Sequence, residues 1–393
     1  MRHESISATT PTPYPLGWLQ LSREKGRLLV ALSGIAFADV LMFMQLGFQS
    51  ALYDSNTRLN RSFKTDLVLV SPQARNMQNL STFSRRRLFQ AMDTPGVKLA
   101  EVLYANTIVW KHPQTRREMT IQVLGFNPAQ LAFDLPEVNQ QLNKLKLPDT
   151  VLFDRGSRGD YKDTIAQIEQ GKPVTTEIDG RTITLAGLFK LGASFVADGT
   201  LMTSDQSFLL MFPRREAASI SLGLVYLESG VDPEQIVTAL RSRLPDDVRV
   251  MTHDEFIQFE ENYWKSQSPI GFIFGLGTAM AFVVGVVIVY QVLSTDVNAH
   301  LKEYATFKAM GYDNAYLLTV VFEEAAILAI LGFVPGAILP IGLYALAAQA
   351  TALPLQMTVI RAALVLVLTA IMCGMSGVIA TRKLQSADPA DMF

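Results

Sequence analysis

Four long apolar runs break up an otherwise mixed chain. Between Leu28 and Gln49 the only charge is Asp39, and Ser266–Thr295, Ala325–Ile360 and Ala362–Thr381 contain none. A helix needs roughly 20 apolar residues to cross about 30 Å of hydrocarbon. The runs therefore predict membrane spans at 28–49, 270–295, 316–347 and 360–381. Ala36-Phe37-Ala38 looks like a signal-peptide cleavage box, but the apolar run continues to Phe48, which predicts an uncleaved span. Asp39 then sits inside the bilayer, where a charge costs about 2.5–3.5 kcal/mol, so it is expected to face protein or to be protonated.

Between the first two spans the pattern changes to that of a folded domain. Asp66–Ser71, Leu99–Trp110 and Met119–Gly125 carry the β-branched and alternating apolar residues of strands. Val174–Ile178 and Thr182–Leu188 flank Asp179-Gly180, a hairpin turn signal. Ser221–Glu228, a helix over Pro233–Leu244 and Val248–Thr252 predict a strand, helix, strand unit. Either side of this domain the pattern is helical. Ser50–Phe63 turns polar with Asp54, Arg58 and Arg61, and Thr252-His-Asp-Glu255 is a capping box from which Phe256, Phe259, Tyr263 and Trp264 are expected to continue helically into the membrane. Two such helices form a stalk.

The fold class expected is an α+β membrane protein, with four transmembrane helices and a large mixed α/β extracytoplasmic domain on a helical stalk between the first and second spans. The divisions are 1–27, a cytoplasmic N-terminus whose Leu16–Arg27 suits an interfacial helix; 28–62, span one and stalk; 63–252, the periplasmic domain; and 253–295, stalk and span two. A cytoplasmic coupling helix follows at 296–315, then span three at 316–347, a short periplasmic loop at 348–359, span four at 360–381 and a cytoplasmic C-terminus at 382–393. Orientation comes from Lys and Arg near the span ends. Arg23, Lys25 and Arg27 precede span one, Lys302 and Lys308 lie between spans two and three, and Arg382-Lys383 follow span four. All are expected inside, together with both termini.

Composition agrees and removes some functions. Hydrophobic residues make up 49% of the chain, and the formal net charge is −2. Residues 63–265 hold 23 Lys and Arg against 25 Asp and Glu, which excludes the basic surface of a nucleic-acid binder. No Gly-x-x-x-x-Gly-Lys-Ser/Thr loop occurs, so no ATP site is expected here. His3, His112, His253 and His300 lack metal-ligand spacing and are expected at the surface, while Cys373 lies alone in span four as a small apolar residue. Catalytic, cofactor-binding and metal residues are accordingly expected to be none. Arg85-Arg86-Arg87 reads as a solvated helix face or a docking site for lipid headgroups or an acidic partner.

The candidate residues lie around the membrane. Leu301, Lys302, Glu303, Tyr304, Phe307, Lys308, Met310 and Gly311 form a short helix with an apolar, aromatic face, closed by a glycine and pinned between two spans. Such a helix is placed to be pushed by a partner. Glu323 and Glu324, one or two turns into span three, join Asp39 as intramembrane polar groups. Gly332-x-x-x-Gly336 permits close helix packing.

Several of these segments resemble the permeases of the MacB/FtsX type in ABC systems, and most of all the DevC-type exporter permeases. Trp18 and Arg27-Leu-Leu-Val-Ala-Leu-Ser-Gly34 are similar to that family's entry into the membrane. Glu303-Tyr-Ala-Thr-Phe-Lys308-Ala309-Met310-Gly311 is similar to its Glu-Ile-Gly-x-Leu-Lys-Ala-Leu-Gly run, with Tyr304 and Ala305 departing from the usual Ile-Gly. Glu324-Ala325 with Gly332 and Gly336 resembles its Glu-Ala-x6-Gly-x3-Gly, and Ala387-Asp-Pro389-Ala390 its ending. The resemblance implies a homodimeric permease in the inner membrane, among membrane lipids, with a separate ABC ATPase subunit that binds ATP and Mg. It also implies a periplasmic membrane-fusion adaptor, a TolC-like outer-membrane channel, and a glycolipid or other amphiphile as cargo. Two alternatives share the layout: an FtsX-like signalling permease that regulates a cell-wall hydrolase, and a lipoprotein-releasing permease.

Overall fold

The computed structural model describes residues 25–178, 180–300, 306, 310 and 314–385. They divide into a membrane unit, with described residues 25–49, 273–346 and 356–385, and an outer unit, residues 50–272 and 347–355. Four helices are long and apolar enough to cross a membrane: Lys25–Arg61, Pro269–Ala299, Leu318–Thr351 and Val359–Thr381.

The first of these is one helix of 37 residues. At 1.5 Å per residue it is about 55 Å long, well beyond the roughly 30 Å that hydrocarbon requires. Its residues from Ser50 onward belong to the outer unit. Before the second apolar helix the path differs from expectation. The helix His253–Asn262 passes into a π-turn at Tyr263–Gln267, and Ser268 is extended (φ −85°, ψ 131°) before a new helix begins at Pro269. Pro269 explains the break, because its ring disfavours helical geometry at the preceding residue. It then suits the first turn of the new helix, where a missing N–H costs nothing.

Other limits also move. Asp296–Ala299 belong to the second apolar helix rather than to a separate one. The third helix runs from Asn314 to Thr351 and takes four residues from the expected loop, and the fourth extends to Gln385. Pro335 and Pro340 both lie inside the third helix.

Within the membrane unit the core is small-residue packing. Ala31, Ile35, Ala38, Leu328, Ala329 and Met372 belong to one buried cluster to which all four apolar helices contribute. Small residues let helices approach closely where lipid offers no hydrophobic drive to associate. Phe37, Phe272, Val283, Ile338, Leu346 and Ile360 are more than half exposed, as lipid-facing side chains should be.

The outer unit is a mixed α/β fold. Its strands, in chain order, are β1 (Leu67–Val70), β2 (Phe83–Ser84), β3 (Val97–Lys111), β4 (Glu118–Phe126), β5 (Thr150–Asp154), β6 (Val174–Ile178), β7 (Arg181–Phe189), β8 (Gly199–Ser204), β9 (Ser219–Ile220), β10 (Leu222–Leu227) and β11 (Arg249–Thr252). Nine form one sheet in the order β11, β1, β10, β3, β4, β8, β5, β7, β6, while β2 and β9 pair separately. The pairs β4 with β8 and β5 with β7 are parallel and the others antiparallel. Ile178 pairs with Arg181 across the turn, where Gly180 has φ +79°. β1 shows why both faces of the sheet are covered: Leu67 and Leu69 enter one buried cluster and Val68 and Val70 the other. Alternate strand residues point to opposite faces, so an all-apolar strand needs two cores.

Candidate functional site

Of the residues expected to couple to an ATPase, Leu301, Lys302, Glu303, Tyr304, Phe307, Lys308 and Gly311 lie outside the described residues. Met310 is 61% exposed, and its N–H donates to the Thr306 carbonyl at 3.0 Å, the spacing of a helical turn.

The structure places the remaining membrane candidates in two groups. Asp39, on the first helix, is fully buried, and the Thr369 hydroxyl of the fourth helix donates to its Oδ1 at 2.6 Å. Gly336 of the third helix faces it: a Cβ there would press on the Asp39 side chain and on the Ala36 Cα. One turn earlier a Cβ on Gly332 would collide with Ile35. Thus both glycines sit where the third helix crosses the first, and Asp39 faces protein rather than lipid. In the second group Glu324 is fully buried and Glu323 half-buried. Asp296 of the second helix is the first of the charged groups acting on Glu324, and His300 Nδ1 stands 3.6 Å from Asp296 Oδ1.

In the outer unit a set of buried polar ties holds the membrane-proximal helical segments to the loops that follow β1 and β7. Asp154, at the end of β5, is fully buried. Its Oδ1 accepts the N–H groups of Gly156 (2.8 Å) and Leu191 (2.9 Å), and its Oδ2 accepts that of Gly192 (2.8 Å). Arg58, on the first helix, donates from Nη1 to the Leu191 carbonyl of this turn. Gly192 has φ +103°, and Arg58 Nη1 lies where its Cβ would be, so a side chain there is excluded twice over. Burial pushes the Asp154 carboxyl up, against the pull of the three N–H groups and of Arg58.

The second tie is Glu260, on the helix His253–Asn262. It is fully buried, its Oε1 accepts the Trp264 indole N–H (2.8 Å) and its Oε2 accepts the Met77 N–H (2.8 Å). Burial pushes its carboxyl up to about 7, with both hydrogen bonds opposing. The capping box of this helix is complete, since Thr252 Oγ1 accepts the Glu255 N–H and Glu255 Oε2 accepts the Thr252 N–H. His253 Nε2 lies 2.7 Å from the Asn60 carbonyl, which joins the two helical segments to each other.

Sequence reasoning missed Asp154 and Glu260 as site residues and took Arg58 only as one of the residues with which the helix Ser50–Phe63 turns polar. A signal existed for Glu260, which stands one helical turn before Trp264; none existed for the ties from Asp154 to Leu191 and Gly192, 37 and 38 residues away. The histidine expectation is also corrected. His112 is buried, stacks on Tyr161 at 4.2 Å, and accepts at Nδ1 from the N–H groups of Gln114 and Thr115, which leaves Nε2 to donate to the Asp160 carbonyl. Of the arginine triplet, Arg87 is committed to a bidentate pair with Asp247.

Residues 275–389 match the FtsX-like permease C-terminal family. No curated protein matches the chain. Among solved structures, the periplasmic region of MacB from Actinobacillus actinomycetemcomitans is 12% identical, with 51% of this chain and 94% of that one covered and a TM-score of 0.34. The extracellular domain of the noncanonic ABC-type transporter YknZ from Gram-positive bacteria is 14% identical, covering 48% and 100%, with a TM-score of 0.33. A domain of a putative permease from Porphyromonas gingivalis is 16% identical, covering 47% and 88%, with a TM-score of 0.29. The matched residues 275–389 take in the second, third and fourth apolar helices, so the membrane unit is similar to an FtsX-like permease C-terminal domain.

Proposed function

We propose that this permease is the membrane subunit of a DevC-type exporter, working as a homodimer with a separate ABC ATPase. ATP binding and hydrolysis in that partner, with its Mg, would displace the segment 296–315. The displacement would pass along the membrane helices to the outer units, which would close and press a glycolipid or other amphiphile toward a periplasmic adaptor and a TolC-like channel. The observation that carries the reading is the pair of buried ties at Arg58 and Glu260. A helix joined to its domain by a loose linker transmits no displacement, whereas one locked to the sheet by buried hydrogen bonds does. The low charge of the apolar runs favours force transmission over a polar path through the helices.

The test is affinity purification of the intact chain in mild detergent with mass spectrometry of what accompanies it. Recovery of an ABC ATPase together with a periplasmic adaptor is expected. An ATPase found with a cell-wall hydrolase would replace the exporter with a signalling permease, and absence of any ATPase would overturn the proposal.

A further inference from the structure

A recess of about 120 Å³ opens in the outer unit between the loop after β1 and the start of β10. Its polar lining comes from Gln78, Asn79, Ser81, Asn106, Thr107, Arg215 and Ser221. Arg215 is half-buried and held from one side: Nη2 donates to Ser221 Oγ (2.7 Å) and to the Ala105 carbonyl (3.3 Å). Its Nε is enclosed without a hydrogen-bond partner among the described residues, and its Nη1 makes no hydrogen bond among them either. Burial pushes this guanidinium below the ordinary arginine range, opposed by the Tyr104 phenol, and it forms no ion pair with a carboxylate among the described residues. Arg87 and Arg158, by contrast, pair with Asp247 and Asp198.

Three further lining side chains are uncommitted, while Ser81 donates to Gln73 Oε1 (3.4 Å). The side chains of Asn79, Asn106 and Thr107 make no hydrogen bond among the described residues. Ser81 has φ +56°, uncommon for a residue with a side chain. Such strain persists where the surroundings impose it and clusters at ligand sites. A half-buried cation without a counter-charge, facing neutral amide and hydroxyl donors, matches one ligand chemistry: a compact oxyanion with several acceptor oxygens. The volume admits a phosphate-sized group and excludes acyl chains.

We propose that the Arg215 recess is a binding site for a phosphate-type oxyanion, either free or as the headgroup of a larger molecule. Arg215 supplies the charge, Ser221 and the Ala105 carbonyl fix its fork, and Asn79, Asn106 and Thr107 supply the neutral contacts. The assignment is independent of whether the permease exports anything. It has one structural consequence: the recess is bounded by the same loop whose Met77 N–H is held by Glu260, so an occupied recess and the tie to the second membrane-proximal helix share a segment.

The test uses the intact chain in neutral-lipid nanodiscs, titrated calorimetrically with inorganic phosphate and with glycerol 3-phosphate at ionic strength held constant with chloride. Binding of at least one ligand is expected, weakened at least fivefold in Arg215→Ala and in Asn106→Asp, which sets a carboxylate against the ligand. Should Arg215→Ala fail to fold, Asn106→Asp decides alone. Binding of inorganic phosphate identifies a free oxyanion as sufficient, and binding of glycerol 3-phosphate alone identifies a headgroup. Binding of neither, or weakening of less than fivefold in the folded variants, overturns the site.

Discussion

Burying the Glu260 carboxyl between Trp264 and Met77 gives the outer unit a pH dependence of known sign. Its folded pKa of about 7 lies above the ordinary 4.5. The folded state therefore binds the proton more tightly, and the stabilisation is complete below pH 4.5 and lost as pH rises through about 7. The difference corresponds to roughly 3 kcal/mol. Asp154, also raised by burial, adds to the same trend. Thermal unfolding of the intact chain should show a midpoint that falls between pH 5 and pH 8 by roughly 5–10 °C more in the wild type than in Glu260→Gln. Parallel pH profiles would show that Glu260 is not the group responsible. In the membrane unit Asp39→Asn keeps an acceptor for the Thr369 hydroxyl and should alter stability in detergent by less than about 1 kcal/mol. Asp39→Lys, too long for the space beside Gly336 and charged, should cost about 3 kcal/mol or more. Equal melting of the two variants would contradict the packing described.

Between elements, the crossing of the first and third apolar helices depends on two missing side chains. Gly332→Leu and Gly336→Leu each drive a side chain into Ile35 or Asp39 and should destabilise by about 1–3 kcal/mol. Gly342→Leu, with nothing within 4 Å of its would-be Cβ, should be neutral. Comparable melting temperatures for all three would refute this contact. The apolar helices and the strands of the outer unit were legible because each has a period that local physics enforces: length and hydropathy for the former, alternation and turn residues for the latter. The expected Thr182–Leu188 strand became Arg181–Phe189, and the capping box at Thr252 formed in full. β5 and β8 were missed although both are buried throughout, because short apolar runs on both sides of a sheet lack alternation. The break at Ser268 was legible in Pro269 but was outweighed by the aromatic run before it. The long-range ties at Arg58, Asp154 and Glu260 were illegible for another reason: Leu191, Gly192 and Met77 are remote backbone partners, and sequence spacing carries no record of those.

At the scale of the whole molecule, the proposed function is the conveyance of force from a partner ATPase. Phe307→Asp and Gly311→Pro alter the face and the end of the expected coupling helix, and both should abolish stimulation of the partner ATPase in a reconstituted complex while leaving the thermal midpoint of the outer unit unchanged. Normal stimulation in both would remove the coupling role from this segment. The most direct test of force transmission is a pulsed electron-electron distance measurement between spin labels at Lys172→Cys, an exposed position of the outer unit, in the reconstituted complex. The buried Cys373 should not compete for label. The distance distribution across the proposed homodimer should shift between ATP-bound and ADP-bound states, and the shift should vanish when Arg58→Ala and Glu260→Ala release both ties. A distribution unchanged by nucleotide in the wild type, or a shift that survives loss of both ties, would contradict the account.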